Sequence, residues 1–489
     1  MNVAMLLEMA SATWPHDTAV VECSERVRRM NYGDLASWSA GGATVAAEQN
    51  ADAILFVGVN GIAMPVALFA AARLGIPFVP LNYRLADDKL AELIAEFDRP
   101  LIIADEPGRI RSTGKTLTRQ QWLDQVATAE PLEARDVDPE STAVLLYTSG
   151  TTSAPKAAVL RNRHLASYIL GTVEFASAGP DQANLVSVPP YHIAAVANLL
   201  SNVYAGRRLV YLDRFDPEAW LDMADAEGVT HAMLVPTMLS RICDYLVEYD
   251  QKAPPVVSMS YGGARMPVSV LEQALEAFPN TGFVNAYGLT ETASTIALLG
   301  PDDHRAAFAT DDPAVRARLG SVGRPVPGVT ICVFDENDVE CAPYVRGELR
   351  VRGPQVSGEY RGKGSLLSSD GWFHTRDLAY LDDAGYVFVE GRMDDTIIRG
   401  GENLAPAEIE EVIVANPSVM DAGVVGVEDA EWGQRIVAHV VTYPGMSLTE
   451  NEVKDWVRAR LRSSKTPDGV VFRDELPRTD TGKLMRRLM

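Results

Sequence analysis

The stretch that decides the fold is AVLLYTSGTTSAPKAAVL, residues 143–160. Val144, Leu145 and Leu146 read as a buried strand that breaks into a run rich in Ser, Thr and Gly and ends at Pro155 and Lys156. Backbone N–H groups in such a turn, several hydroxyls and one ammonium make a concave donor surface suited to phosphate oxygens. It is not the common Gly-x-x-x-x-Gly-Lys-Ser/Thr loop, because Pro155 precedes Lys156 and Ala157 follows it. A plain surface loop would account for the same residues.

On the N-terminal side, apolar segments alternate with amphipathic helical patterns. ADAILFVGVN is followed by GIAMPVALFAAARLG, then IPFVPLN by ADDKLAELIAEFD, then PLIIADE. The rhythm predicts layered α/β structure with parallel strands. It resumes in RRLVYLDRFDPEAWLDMADAEGVTHAMLVP and PVVSMSYGGARMPVSVLEQALEAFP. Between Gly320 and Val389 the texture changes to short β-like runs with turns, which predicts an antiparallel, barrel-like subdomain. After GRMDDTIIRGGENLAPAEIEEVI a new unit starts, with helix, strands, helix and a lysine-bearing tail, long enough for a small α+β domain. The expected division is residues 1–393 and 394–489.

A chain of 489 residues, 47% hydrophobic and 22% charged, is that of a multi-part globular protein. The net charge of −22, from 44 basic and 66 acidic residues, argues against nucleic acid or an anionic membrane as partner. No apolar run reaches the roughly 18 residues of a membrane helix, and the N-terminus has no basic n-region. Cys23, Cys243, Cys332 and Cys341 form no Cys-x-x-Cys pair, which suits a reducing compartment, so a cytoplasmic location is expected. The sequence does not specify an oligomeric state. A phosphate-binding protein this acidic must gather its basic groups at the site or rely on Mg²⁺.

Four further stretches carry chemistry. NAYGLTET, residues 285–292, sets Tyr287, Thr290 and Glu291 at a turn after an apolar strand. A base could stack on Tyr287, Thr290 could bond a phosphate, and Glu291 could hold Mg²⁺, which takes one or two carboxylates plus phosphates. A capped helix start explains the same letters. In DGWFHTRDLAYLDDAGYVFVEGR, residues 370–392, Asp377 can accept two ribose hydroxyls with Arg392 as an added donor. The alternative is a structural pair of Asp377 with Arg376 or Arg392. IIRGGENLAPAEIE has paired glycines, Gly400 and Gly401, that permit close backbone approach before a Pro-started acidic helix. LPRTDTGKLMRR places Lys483 in a polar turn near the end.

The order and spacing of these five stretches, from Tyr147 to Lys483, resemble the adenylate-forming superfamily of acyl-CoA synthetases, peptide-synthetase adenylation domains and luciferases. The resemblance covers nearly the whole chain. It implies ATP and Mg²⁺ as cofactors, with Thr148, Ser149, Gly150, Thr151, Thr152 and Lys156 on the β- and γ-phosphates. Ser153 and Ala157 depart from the glycines usual in that loop. The resemblance further implies that Tyr287 stacks adenine, Thr290 contacts phosphate, Glu291 binds Mg²⁺, and Asp377 and Arg392 hold the ribose. Asp394 becomes the hinge of a mobile C-terminal domain. Lys483 bridges carboxylate and α-phosphate, offsetting the repulsion of two anions, and Gly400 and Gly401 line the acceptor tunnel after the domain rotates.

His192 in PPYHIAAVANLL is implied as a gating or positioning residue beside the acyl pocket, with Ala195, Gly262, Gly263 and Ala264 lining it; a satisfied core histidine is the alternative. Small side chains there, and GRMDDTIIRGGEN, look most like aryl-CoA ligases, so an aryl or heteroaryl carboxylic acid is the expected substrate. The acceptor is either an amine or CoA. Aryl-CoA ligases carry basic residues on either side of the Pro in the segment that reads SSKTPDGVVF here, where Thr466 and Asp468 stand instead. A carboxylate about 4 Å from a CoA phosphate would cost roughly 4 kcal/mol at an effective dielectric of 20. Trp432 and Arg84 are compatible with CoA. The pattern is also similar to amide-forming members of the superfamily acting on β-carboline-type acids, so amide formation is the leading expectation and an acyl-CoA thioester the alternative.

Overall fold

The computed structural model describes the chain from residue 1 to residue 489 except residues 24–26, 134, 149–155, 401, 430–431 and 480–481, and the side chain of Asn403. The α/β rhythm forms as the spacing predicts. Strand Ala53–Val57, every residue of it buried, pairs in parallel with Phe78–Pro80 and Pro100–Ala104. Complete burial on both faces is what a parallel strand between helical layers requires. Helix Ala63–Leu74 links the first two and stops at Gly75, whose φ of +78° is the left-handed conformation that glycine adopts without a Cβ penalty. Phe78–Pro80 then pairs in parallel with Thr142–Thr148, the apolar run of the deciding stretch. Thr142–Thr148 pairs antiparallel with Lys156–Arg161, so the Ser/Thr/Gly segment joins the two strands of a hairpin within an eight-stranded sheet.

A second, nine-stranded sheet carries the other half of the body. Its centre runs parallel through Arg208–Leu212, Ala183–Val186, His231–Leu234, Ser258–Gly262 and Gly282–Leu289. Antiparallel strands close both edges, Val27–Asn31 on one and Ser294–Leu299 with Arg324–Pro325 on the other. One large apolar core joins the sheets, with Trp122, Trp220, Phe56, Phe69 and Phe78 fully buried in it.

The change of texture after Gly320 corresponds to a four-stranded antiparallel sheet, Thr330–Phe334, Gly347–Arg352, Phe373–Leu381 and Val387–Arg392, with its own core of Val333, Leu349, Val351 and Val387. The last strand leads through a turn at Met393–Asp395 into the small α+β unit. There Val419–Asp429 and Gly433–Thr442 form a long hairpin, joined in parallel by Gly469–Phe472, and helices Pro406–Val414 and Glu450–Arg458 cover it. A Thr449/Glu452 capping box starts the second helix, and Ile409, Ile413, Val424, Ile436 and Val453 fill a separate core. The protein is thus mixed α/β, a large N-terminal body with a small C-terminal domain. Among the described residues no helix is long and apolar enough to cross a membrane.

Candidate active site

The site lies where the nine-stranded sheet meets the antiparallel sheet. Strand Gly282–Leu289 ends in a 3₁₀ turn, Thr290–Thr292, that presents Thr290 and Glu291. The chain then turns back through Ala293 and Ser294, both at positive φ, +52° and +104°. Two non-glycine residues in that region store strain of about 1–3 kcal/mol each, which the surrounding structure must hold in place. Glu291 is held from two sides. Its carbonyl accepts from the N–H of Ser357 at 2.9 Å and of Gly358 at 3.0 Å, and its carboxylate accepts from the Tyr360 hydroxyl.

Tyr360 also answers for the lysine of the deciding stretch. Lys156 opens strand Lys156–Arg161 and its ammonium lies 6.0 Å from the Tyr360 ring centre, the outer range of a cation–π contact. Thr148 faces Lys156 across the hairpin and its hydroxyl donates to the Lys156 carbonyl at 3.3 Å. The strand register therefore brings Thr148, Lys156 and Glu291 together through a tyrosine that sequence reasoning missed. Its signal was an aromatic in the turn-rich SGEYRG, residues 357–362. Ser149, Gly150, Thr151, Thr152 and Gly401 lie outside the described residues.

Asp377 is 4% exposed and pairs in register with Arg392. Arg392 Nη1 donates to Asp377 Oδ1 at 3.1 Å and to the Thr375 carbonyl at 2.9 Å, while the Tyr287 hydroxyl donates to Asp377 Oδ2 at 2.5 Å. Burial pushes the Asp377 carboxyl above the usual range, and Arg392, Tyr287 and Lys483 pull it back. Burial and the Asp377 charge raise the Tyr287 phenol, which keeps its proton and acts as donor. Two of the roughly four lone-pair sites on the carboxylate are taken, leaving two for a diol. Arg376, at a left-handed φ of +62°, turns the other way and reaches Asp394 at 3.1 Å. So Asp377 is a buried carboxylate with Arg392 and Tyr287 as its partners, and Arg376 belongs to Asp394.

Lys483 arrives from the small domain. Thr479 N–H donates to the Lys483 carbonyl at 2.8 Å, and Gly482 packs so closely on the body that a Cβ there would meet Thr237 Oγ1 at 3.0 Å. Arg265 of the body bonds Glu411 of helix Pro406–Val414 at 2.6 Å. In this arrangement the exposed Lys483 ammonium acts on Asp377. Gly400, by contrast, is exposed and tied to its own domain, its N–H donating to the Trp432 carbonyl at 2.8 Å, and a Cβ there would lie 3.1 Å from the Trp432 ring.

His192 precedes helix Ile193–Ala205 and stacks on Tyr191 at 4.6 Å, which meets Tyr83 edge-on at 5.7 Å. Ala195 is buried one turn on. Gly262 sits where a Cβ would approach the Ala286 carbonyl to 2.3 Å; Gly263, at φ +82°, turns the chain, and Ala264 is half-buried. Glycine at 262 is thus required by strand pairing.

Among the described residues no group of three or more His, Cys, Asp or Glu could hold a metal ion. A single hard carboxylate, Glu291, fits Mg²⁺, which keeps several waters and takes its remaining ligands from nucleotide phosphates.

A model of AMP-binding enzymes matches residues 7–361, and one of the AMP-binding enzyme C-terminal domain matches residues 408–483. The chain belongs to the AMP-binding enzyme family. It is 31% identical over 487 residues to 2-succinylbenzoate–CoA ligase of Bacillus licheniformis, covering 98% of each chain. The o-succinylbenzoate CoA synthetase of Bacillus subtilis, solved with its acyl-adenylate, superposes with a TM-score of 0.85 at 28% identity over 99% of this chain and 97% of that one; it has also been solved with ATP and magnesium. The amide bond synthetase of Marinactinospora thermotolerans superposes equally well, TM-score 0.85 over 99% of both chains, at 23% identity, a likeness of fold. This AMP-binding enzyme is an adenylate-forming ligase of the acyl-CoA synthetase superfamily that uses ATP and Mg²⁺.

Proposed function

We propose that the enzyme joins an aryl or heteroaryl carboxylic acid to CoA. The observation that carries this reading is the position of Asp468. The expectation of an amine acceptor treats Asp468 as an open anion that repels CoA phosphates. Asp468 instead accepts from Arg399 Nη2 at 2.6 Å and from the Ile436 N–H at 2.8 Å, so its charge is neutralised within the small domain. Lys465, one place before Thr466, is buried and bonded to Glu408 at 2.5 Å, whereas Asp468 is exposed but paired. The segment therefore has neither the basic grip of aryl-CoA ligases nor the repulsion that would exclude CoA. The 31% identity to a CoA ligase over nearly the full length of both chains then favours the thioester. The amide reading has no residue of its own to support it.

In the first step the substrate carboxylate oxygen attacks the α-phosphorus of ATP and pyrophosphate leaves. Lys483 supplies the positive charge between two anions, and Asp377, Arg392 and Tyr287 fix the ribose and adenine. Thr148 and Lys156, with Thr290, orient the phosphates. Glu291 would hold Mg²⁺, whose charge offsets that of the phosphates. In the second step the CoA sulfur attacks the acyl carbonyl, losing its proton, and AMP leaves. Asp394 would be the hinge that withdraws Lys483 and brings Gly400 to the acyl-adenylate, with His192 beside the acyl group. A cytoplasmic setting, where ATP and CoA are available, completes the reading.

The test is mass spectrometry of products from purified enzyme, ATP, Mg²⁺ and a panel of aryl acids, with CoA in one arm and a primary amine in the other. Thioester is expected. Amide formed without CoA, faster than free amine captures released adenylate, would reverse the assignment.

A further inference from the structure

Strand register puts three transverse rows of residues on one face of the nine-stranded sheet. Gly262 and Ala286 form the row nearest the nucleotide end. Val186, Met233, Ser260 and Val284 form the next, and Asn184, His231, Ser258 and Gly282 the farthest. Helix Ile193–Ala205, which begins at His192, lies over this face, because Asn184 Nδ2 donates to Asn198 Oδ1 at 2.9 Å. The helix buries Asn184 and Val186 but leaves His231, Met233, Ser258, Ser260, Val284 and Ala286 half-exposed. The opposite face is closed: Ala232, Leu234, Met259, Tyr261 and Phe283 are buried. A half-exposed strip therefore runs from Ala286 to His231, four residues along the strands or about 13 Å, which matches the length of a fused or substituted aromatic ring.

Its far end has a definite polarity. The Thr230 hydroxyl donates to the Ala183 carbonyl at 3.1 Å and accepts from the Ala183 N–H at 3.0 Å. At the 2.9 Å contact between Thr230 Oγ1 and His231 Nδ1, the nitrogen is then the donor, which leaves the lone pair on Nε2. Burial and the Arg207 charge hold the imidazole pKa down to about 4, so the ring is neutral near pH 7. The Ser260 hydroxyl donates to the Ala232 carbonyl at 3.3 Å, so its free lone pairs are acceptors too. The strands 183–186, 231–234, 258–262 and 282–289 contain no Asp, Glu, Lys or Arg.

We propose that the acid carries a neutral hydrogen-bond donor, an aromatic N–H or a phenolic O–H, at the end remote from its carboxyl, and that His231 and Ser260 are the residues that select for it. This rests on the aryl-acid reading above. A strip whose acceptors stay unpaired with the wrong acid discriminates strongly. 2-Succinylbenzoate offers a second carboxylate in place of a neutral donor, so it is expected to be the poorer substrate even with the Arg207 charge acting at His231.

The test is pyrophosphate release, which reads adenylation whatever the acceptor, with matched acids: 4-hydroxycinnamate against 4-methoxycinnamate, and indole-3-acetate against its N-methyl derivative. The donor-bearing acid of at least one pair is expected to win by about 10-fold or more in kcat/KM. His231→Phe and Ser260→Ala each bring that ratio within about 3-fold of unity with KM for ATP unchanged, and His231→Gln, which keeps an acceptor, retains most of it. Equal rates within both pairs in the wild type, a ratio unmoved by both variants, or a preference for 2-succinylbenzoate overturns the proposal. Release with no aryl acid at all overturns the aryl-acid reading itself, and the proposal with it.

Discussion

At the scale of single residues, the site depends on buried charges that are matched and not merely present. Asp377 is tolerated at 4% exposure because Arg392 and Tyr287 each take one of its oxygens. Hydrogen bonds to a charged group contribute about 1.5–3 kcal/mol, so Tyr287→Phe, which leaves a buried carboxylate oxygen without its donor, is expected to raise KM for ATP by roughly 10-fold or more and to lower the thermal midpoint as well. Initial-rate kinetics and a melting curve measure the two. Lys483→Ala removes a small-domain cation whose charge acts on Asp377. It should slow pyrophosphate release by about 100-fold or more while thioester formation from supplied acyl-adenylate proceeds at near wild-type rate. Equal loss of both steps would contradict the assigned role. The sequence displayed Tyr287, Asp377, Arg392 and Lys483 because each sits in a distinctive local pattern. It did not display Tyr360, whose link to Glu291 and Lys156 spans three separate segments of chain.

At the scale of elements, close backbone approach explains which glycines cannot change. A Cβ on Gly288 would fall 1.9 Å from the Ser294 carbonyl, beside the register shift between Tyr287 and Gly288 in the antiparallel pair of strands Gly282–Leu289 and Ser294–Leu299. Gly288→Ala is expected to cost about 1–3 kcal/mol as the hairpin is forced apart, seen as a lower urea midpoint and weaker nucleotide binding together. The small-domain segment 463–472 makes the opposite point. Its letters suggest an unpaired charge facing the acceptor, yet Asp468, though exposed, is paired with Arg399, which also bonds the Ser464 carbonyl at 2.9 Å and lies 5.4 Å from the Trp432 ring centre. Asp468→Lys would set an ammonium beside that guanidinium. It should destabilise the small domain and leave KM for CoA no lower than in the wild type, measured by thermal unfolding and CoA titration.

At the scale of the whole molecule, pH acts through histidines buried without charge. Burial lowers the pKa of His164 to about 4, and His164 is 1% exposed with Nδ1 accepting the Arg161 N–H at 3.2 Å. Unfolded, the same ring titrates near 6.5. Between about pH 6.5 and 4 the unfolded chain therefore binds the extra proton, so this group's contribution is full above 6.5 and is lost as pH falls toward 4. His231 behaves the same way. The expected outcome is that the stability difference between wild type and His164→Asn, from urea unfolding, is largest at neutral pH and shrinks steadily below 6.5. A difference that grows on acidification would show His164 to be charged in the folded state.

What the sequence determined by itself was local and periodic. The alternation of apolar strands with amphipathic helices set the layered body, because those periods reflect which face of each element is buried. The order and spacing of the Ser/Thr/Gly segment, NAYGLTET, Asp377 and Lys483 resembled the adenylate-forming superfamily, and that resemblance implied the adenylating chemistry. Tertiary structure alone decided where charges end. Asp468 reads as an acceptor-facing anion until Arg399, 69 residues away, is seen to hold it, and the tautomer of His231 depends on Thr230 being tied to Ala183 on a neighbouring strand. A charge or lone pair acts at a distance set by three-dimensional neighbours, and sequence separation carries no information about those distances.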